Sequence, residues 1–212
     1  LPENVEIKTT FYSELETLIP AETIIASDTS GIPITNLQQG LQNPSRFVGM
    51  HWSNPPHIVP MIEVIGGAQT APETVATIRD LIRDLGLLPV VLKRDVPGFV
   101  ENRVLYALLR ECVDLVETGV IEAEDLDTCV NWGIGFKLAA IGPMRLIDMA
   151  GMDIYHSVAS FLNQELCDRA DVSSMVVENT AQGHLGMKTG QGLFPYSEDE
   201  LRDLPVARGK TL

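Results

Sequence analysis

The feature that most constrains the fold is a change of texture at Asp95-Val96-Pro97-Gly98. Before it, short β-branched runs alternate with helical patterns. TIIAS (Thr23–Ser27), FVGMHW (Phe47–Trp52), MIEVI (Met61–Ile65) and PVVLK (Pro89–Lys93) read as strands, closed by Asp28, Asn54-Pro55-Pro56 and Gly66-Gly67. Helical patterns fall at residues 9–18, where Phe11, Leu15 and Leu18 share a face, and at APETVATIRDLIRDLG, which has Pro72 near its start and Gly86 at its end. Strands that are apolar at nearly every position and alternate with helices predict an α/β layer with a mainly parallel sheet.

From Phe99 onward no strand pattern is convincing. FVENRVLYALLRECVDLVETG carries an apolar stripe (Val100, Val104, Leu108, Val113, Leu115) to a stop at Gly119, and IEAEDLDTCVNWG, MRLIDMAG, DIYHSVASFLNQEL and SSMVVENTAQG are further helical patterns. GMKTGQGLFPY, punctuated by glycine, reads as loop. The boundary is therefore placed near residue 96: α/β over 1–96, all-α over 97–212. A chain of 212 residues is long enough for a large domain or two small ones, and buries enough surface to fold without disulfides or metal.

Charge narrows the function. Asp and Glu number 29 against 15 Lys and Arg, a net −14, which repels a phosphate backbone and an anionic membrane surface. Nucleic acid and membrane are thus not expected partners. Cys112, Cys129 and Cys167 are odd in number and widely spaced, with no His at ligand spacing, so neither a disulfide framework nor a metal site is expected. They read as small buried apolar residues of a reducing compartment. No apolar stretch reaches membrane-spanning length and no leader pattern opens the chain, so the expected location is cytoplasmic.

Glu63 is the anomaly that points to chemistry. A carboxylate inside MIEVI is costly unless it is paired, and His51, at the end of the preceding strand, is the candidate partner. A carboxylate on one imidazole nitrogen fixes the tautomer and leaves the other nitrogen to act as a base. A purely structural His–Glu pair, or a Glu reaching the sheet edge, would give the same spacing. Ser30 follows the first strand in SDTSGIP, with Ser27 and Thr29 beside it, where such folds bind ligands, but these residue types also make ordinary turns and caps. Asn102, just past Gly98, offers an amide donor or a cap. His57, His156 and His184 have no comparable context. A hydrolase with Ser30 as nucleophile would want a G-x-S-x-G elbow, which is absent.

Taken in order, ASDTSGIPIT, RFVGMHWSNPP, MIEVI, DVPGFVENR, IGPMRLIDMAGMD and GMKTGQGLF resemble the 3-hydroxyacyl-CoA dehydrogenase family over nearly the whole chain. The resemblance implies part of a doubly wound Rossmann-type sheet followed by a helical substrate and dimerisation domain. It implies NAD as cofactor and a homodimer through the helical domain. Residue by residue it makes His51 the catalytic base, Glu63 the acid that orients it, and Ser30 and Asn102 donors to the substrate oxygen. Asn54 would lie near the nicotinamide, Glu3 and Lys8 near its ribose, and Lys188 would contact the cofactor, as Ser30 also would. The implied reaction oxidises the secondary alcohol of an (S)-3-hydroxyacyl-CoA to the 3-oxoacyl-CoA.

Three departures qualify the likeness. No G-x-G-x-x-G turn is present: Gly133–Leu138 (GIGFKL) lacks the third glycine and follows no strand. Because the pyrophosphate site depends on that turn, the 212 residues alone are expected to bind NAD poorly and to be inactive, as part of something longer. The region that usually grips CoA is also not represented. Finally, Trp52-Ser53 replaces the usual apolar pair after the base, as in relatives that act on carnitine, gulonate or a pyridoxine-breakdown intermediate. A non-CoA hydroxy compound is therefore the alternative substrate, and a non-catalytic dimerisation module the alternative class.

Overall fold

The computed structural model describes residues 1–203; positions 204–212 of the expected helical domain lie outside the described residues. The chain divides into two compact units, Leu1–Leu105 and a second from Tyr106 onward.

The first unit is built on a four-stranded sheet in the order β1 (Ile25–Ser27), β2 (Phe47–Trp52), β3 (Met61–Gly66), β4 (Leu88–Leu92). β1 pairs with β2 and β3 with β4 in parallel, so the sheet is mainly parallel. The central β2–β3 ladder is antiparallel. Its physical reason is the connection: the eight positions 53–60 are too few for the crossover that a parallel pair needs, and they contain three prolines that hold the link extended. Glu63 thus sits between one antiparallel and one parallel neighbour.

Side-chain alternation sends residues to two faces. Phe47, His51, Glu63 and Ile65 share one face; Phe47 and Ile65 pack there with Tyr12 of α1 (Val5–Glu16), Ile34 and Leu37 of α2 (Ile34–Leu37), Ile25 and Phe99. Val48, Ile62 and Val64 point the other way, onto Ile78 and Ile82 of α3 (Pro72–Asp84). Gly49 makes the first layer possible: a Cβ there would lie 2.8 Å from Ile34 Cδ1 and 3.1 Å from Ile65 Cβ. The first helix begins four residues earlier than the apolar spacing predicted, because the Asn4 side chain caps it by accepting from the Ile7 amide.

The second unit is helical. α4 (Glu101–Glu117) begins in the first unit and runs into it, followed by α5 (Ala123–Thr128), a π-helical segment over Cys129–Gly135, α6 (Phe136–Ala140), α7 (Pro143–Ala150), α8 (Met152–Glu165) and α9 (Ser174–Ala181). IEAEDLDTCVNWG is therefore not one helix that stops at Gly133; helix continues through GIGFKL to Ala140. The Glu117 carboxylate, at the end of α4, fastens the start of α9. It accepts from Arg169 Nη1 at 2.6 Å, from the Met175 amide at 3.1 Å and from the Ser174 hydroxyl.

Among the described residues, every buried apolar side chain lies at or before Phe99. The apolar helix faces of the second unit are open instead, with Trp132 73% and Phe136 67% exposed. The cysteines follow suit: Cys112 and Cys167 are half-buried and Cys129 is exposed, so they are not the interior residues expected. No helix among the described residues is long and apolar enough to cross a membrane.

Candidate active site

The candidate site lies in the first unit, where the loops after β1 and β2 meet the start of α4. His51 and Glu63 are register partners on β2 and β3, so both side chains project from the same face. His51 Nδ1 is 2.9 Å from Glu63 Oε2, with His51 6% and Glu63 1% exposed. A carboxylate can only accept, so Nδ1 carries the hydrogen and Nε2 is left with its lone pair. The other oxygen of Glu63, Oε1, accepts from the amides of Val100 at 2.9 Å and Glu101 at 3.1 Å. The buried carboxylate is thus held by the imidazole and by the amino-terminal end of α4.

The electrostatics follow from these contacts. Burial pushes Glu63 up, but the hydrogen bond with His51 and those from the Glu101 and Val100 amides outweigh it, and the carboxyl is held below its ordinary value. The hydrogen bond with Glu63 raises the imidazole above its ordinary value against the opposing effect of burial, and the charges of Glu63, Glu101 and Asp28 add to the rise.

Gly98 and Phe99 set this arrangement. Gly98 has φ +74°, and Phe99 follows with φ +52°, a left-handed conformation uncommon for a residue with a side chain. Two successive left-handed residues turn the chain so that the next two amides meet Glu63. The Phe99 ring, fully buried, tilts against the imidazole with centroids 5.6 Å apart. Gly31 comes close to the same turn: the Gly98 amide donates to the Gly31 carbonyl at 2.9 Å.

The other expected residues sort as follows. Asn102 Nδ2 donates to the main-chain carbonyl of Ser30 at 2.6 Å, so the two are together, but through the Ser30 backbone. The Ser30 residue itself is exposed. Glu3 and Lys8 form an ion pair at 3.2 Å, with Lys8 only 4% exposed. Glu3 Oε1 also gathers the Ser30 amide at 3.0 Å, the Gly31 amide at 3.2 Å and the Thr29 hydroxyl. Burial opposes ionisation of Glu3, but the Thr29 and Lys8 contacts prevail and its carboxyl is held below the ordinary value. Asn54 is exposed and precedes a cis peptide bond to Pro55. Lys188 is exposed, in the second unit.

The sequence did not single out Glu101, Ser53 or Asp28 as parts of the site, and Thr29 only as a neighbour of Ser30. The Glu101 carboxylate accepts from the buried Ser53 hydroxyl, and Asp28 Oδ1 accepts from the Trp52 amide at 3.0 Å. Thr29 binds Glu3. The signal for Glu101 was available, an acid in the first turn of a helix, but that position is common for reasons of helix dipole alone. Polar atoms of His51, Glu63 and Glu101 lie within 4.8 Å of one another, and the Nδ1–Glu63 bond with the two amides on Glu63 makes this a hydrogen-bonded cluster.

This geometry agrees with the likeness to known proteins. Residues 1–96 match the family described as "3-hydroxyacyl-CoA dehydrogenase, NAD binding domain", and 98–196 match "3-hydroxyacyl-CoA dehydrogenase, C-terminal domain". The chain is 64% identical over 212 residues to 5-formyl-3-hydroxy-2-methylpyridine 4-carboxylate 5-dehydrogenase of Mesorhizobium japonicum, covering 100% of this chain and 69% of that protein. It is 36% identical over 195 residues to a probable 3-hydroxybutyryl-CoA dehydrogenase of Deinococcus radiodurans, covering 92% and 69%. A solved structure of a 5-formyl-3-hydroxy-2-methylpyridine 4-carboxylic acid 5-dehydrogenase, described as an NAD+-dependent dismutase, superposes with a TM-score of 0.97 at 64% identity, over 100% of this chain and 68% of that one. The (S)-3-hydroxybutyryl-CoA dehydrogenase of Ralstonia eutropha gives 0.72 at 34% identity, over 92% and 68%. The chain belongs to the 3-hydroxyacyl-CoA dehydrogenase family of NAD-dependent oxidoreductases.

Proposed function

We propose that this chain carries the proton-transfer centre of an NAD-dependent dehydrogenase acting on a small substituted pyridine rather than on a hydroxyacyl-CoA. The observation that carries the chemistry is the buried His51–Glu63 pair. The substrate class rests on the 64% identity to a dehydrogenase named for a formylpyridine carboxylate, well above the 36% to a hydroxybutyryl-CoA enzyme.

In this reading the substrate is the hydrated aldehyde. Its hydroxyl proton passes to His51 Nε2 while Nδ1 stays hydrogen-bonded to Glu63, which stabilises the imidazolium. NAD, when bound, accepts the hydride from the same carbon. The balance is RCH(OH)2 + NAD+ → RCOO− + NADH + 2 H+. Asn102, fixed to the Ser30 carbonyl, and the Ser30 hydroxyl steady the oxygen. Glu3 and Lys8, beside the loop after β1, supply the acceptor and cation suited to the cofactor's ribose, and Asn54 adds a polar group from the loop after β2. His51, Glu63, Ser30 and Asn102 are thus the working residues of the reaction.

We further take residues 1–96 as the cofactor domain and 97–212 as the subunit-contact domain of a homodimer. The open apolar faces of the helical unit support this, since a unit with no buried apolar side chain among its described residues needs a partner to cover them. Light scattering is expected to give a dimer at micromolar concentration; a monomer would count against the assignment. The function is tested by NAD reduction with a formylpyridine carboxylate and with 3-hydroxybutyryl-CoA side by side. Turnover of the pyridine, lost in His51→Ala, is the expected result, and preferential turnover of the CoA ester refutes the substrate class.

A further inference from the structure

We infer that Glu101 is a positioning residue: a second carboxylate that, with Glu63, holds the proton His51 takes from the substrate. The inference rests on His51 being the base.

Glu101 stands at the first position of α4, and its carboxylate is shared unequally. Oε1 accepts from the Ser53 hydroxyl, and Ser53 is itself buried. Oε2 is also buried but has no hydrogen-bond partner among the described residues. An acid that served only to complement the helix dipole would leave its free oxygen in water. Here it is shut away, and a donor atom of His51 and one of Glu63 each lie within 4.8 Å of a Glu101 oxygen.

Two carboxylates so close repel one another, and the arrangement is relieved when the imidazole beside them carries a positive charge. The groups whose charges act on the ring are Glu63 from β3, Glu101 from α4 and Asp28 from the loop after β1, all acidic. Glu63 fixes the tautomer through Nδ1. Glu101 does not bond that nitrogen, since its Oε1 takes the Ser53 hydroxyl and its Oε2 takes no hydrogen bond among the described residues, and so it adds charge without changing ring orientation.

The test is an NMR titration of His51 in the full-length protein labelled at histidine, with His51→Gln identifying its signal. In Glu101→Gln the His51 pKa is expected to fall by about one unit or more, and in Glu101→Asp, which keeps the charge, by less than half as much. Glu101→Ala provides the same reading should the amide variant not fold. The acidic limb of kcat/KM for oxidation is expected to move to lower pH by the same interval. A structural role would lower thermal stability and leave both titrations in place, and that result overturns the inference. Loss of activity in His51→Gln is scored separately: if it is retained, the proposed function fails whatever Glu101 does.

Discussion

His51 and Glu63 stand directly opposite each other on β2 and β3, and the antiparallel ladder brings Nδ1 to 2.9 Å from Oε2. The register matters as much as the distance. A slip of one residue would turn one side chain to the opposite face of the sheet, onto the layer of Ile78 and Ile82. The hydrophobic pattern of two ordinary strands thus fixes an acid–base pair to a fraction of an ångström.

Truncating Glu63 is expected to harm folding and chemistry by separable amounts. Glu63→Ala leaves the imidazole and the Val100 and Glu101 amides without their acceptor, a loss of about 3–5 kcal/mol in urea unfolding. Glu63→Gln retains an oxygen for the amides and is expected to fold better. Its imidazolium loses the stabilising charge, so kcat falls by about 10²-fold. An amide variant with wild-type kcat would show that the pair is structural.

Stability should depend on pH with a definite sign. Glu63 is depressed from 4.5, so its contribution is complete above that value and is lost as pH falls through the lower folded pKa. His51 is raised from 6.5, so its contribution is complete below that value and is lost as pH rises through the higher folded pKa. The unfolding free energy of wild type relative to Glu63→Gln is therefore expected to peak between pH 4.5 and 6.5 and to shrink on both sides. A difference that is flat from pH 4 to 9 contradicts the coupling.

The strands and the pair were legible because each obeys a local rule: β-branched runs between breakers, and an acid that must be compensated inside one of them. The antiparallel turn of β3 was implicit in the short Pro-rich link, but a mainly parallel sheet does not by itself say which ladder reverses. Glu101, Ser53 and Asp28 were not legible. Glu101 and Ser53 meet because α4 begins beside the end of β2, and Asp28 meets the Trp52 amide because β1 pairs with β2; such long-range relations leave no periodic trace. The exposure of the cysteines was not legible either: residue type and spacing say that they are unpaired, but not that the helix faces of the second unit stay open.

The Glu3 carboxylate organises the loop after β1, and its removal should be visible locally. Glu3→Ala deprives the Ser30 and Gly31 amides of their acceptor and leaves the buried Lys8 ammonium without its ion pair. Hydrogen exchange at those two amides is expected to accelerate by an order of magnitude or more, about 1.4 kcal/mol of local opening per decade. Protection in α3, on the far face of the sheet, should not change. Unaltered exchange at Ser30 and Gly31 would mean that other groups hold the loop.

Glu117 makes the corresponding test in the helical unit. Its carboxyl is lowered to about 2, first by the Ser174 hydroxyl, then by the Met175 amide and Arg169. A depressed carboxylate stabilises above its unfolded pKa, and its contribution is lost as pH falls through the folded one. The α9 tether should therefore survive at pH 4, where an ordinary glutamate is mostly protonated, and weaken only toward pH 2. Glu117→Gln removes the charge at every pH and breaks the ion pair with Arg169, while Glu111, which receives the Cys167 amide at 2.8 Å, still holds the preceding segment. Protection of the Met175 amide relative to its intrinsic exchange rate is the measurement: low in the variant throughout, and in wild type high until strongly acid conditions. Equal exchange in the two proteins at pH 7 would mean that packing of α9, and not this carboxylate, holds the helix start.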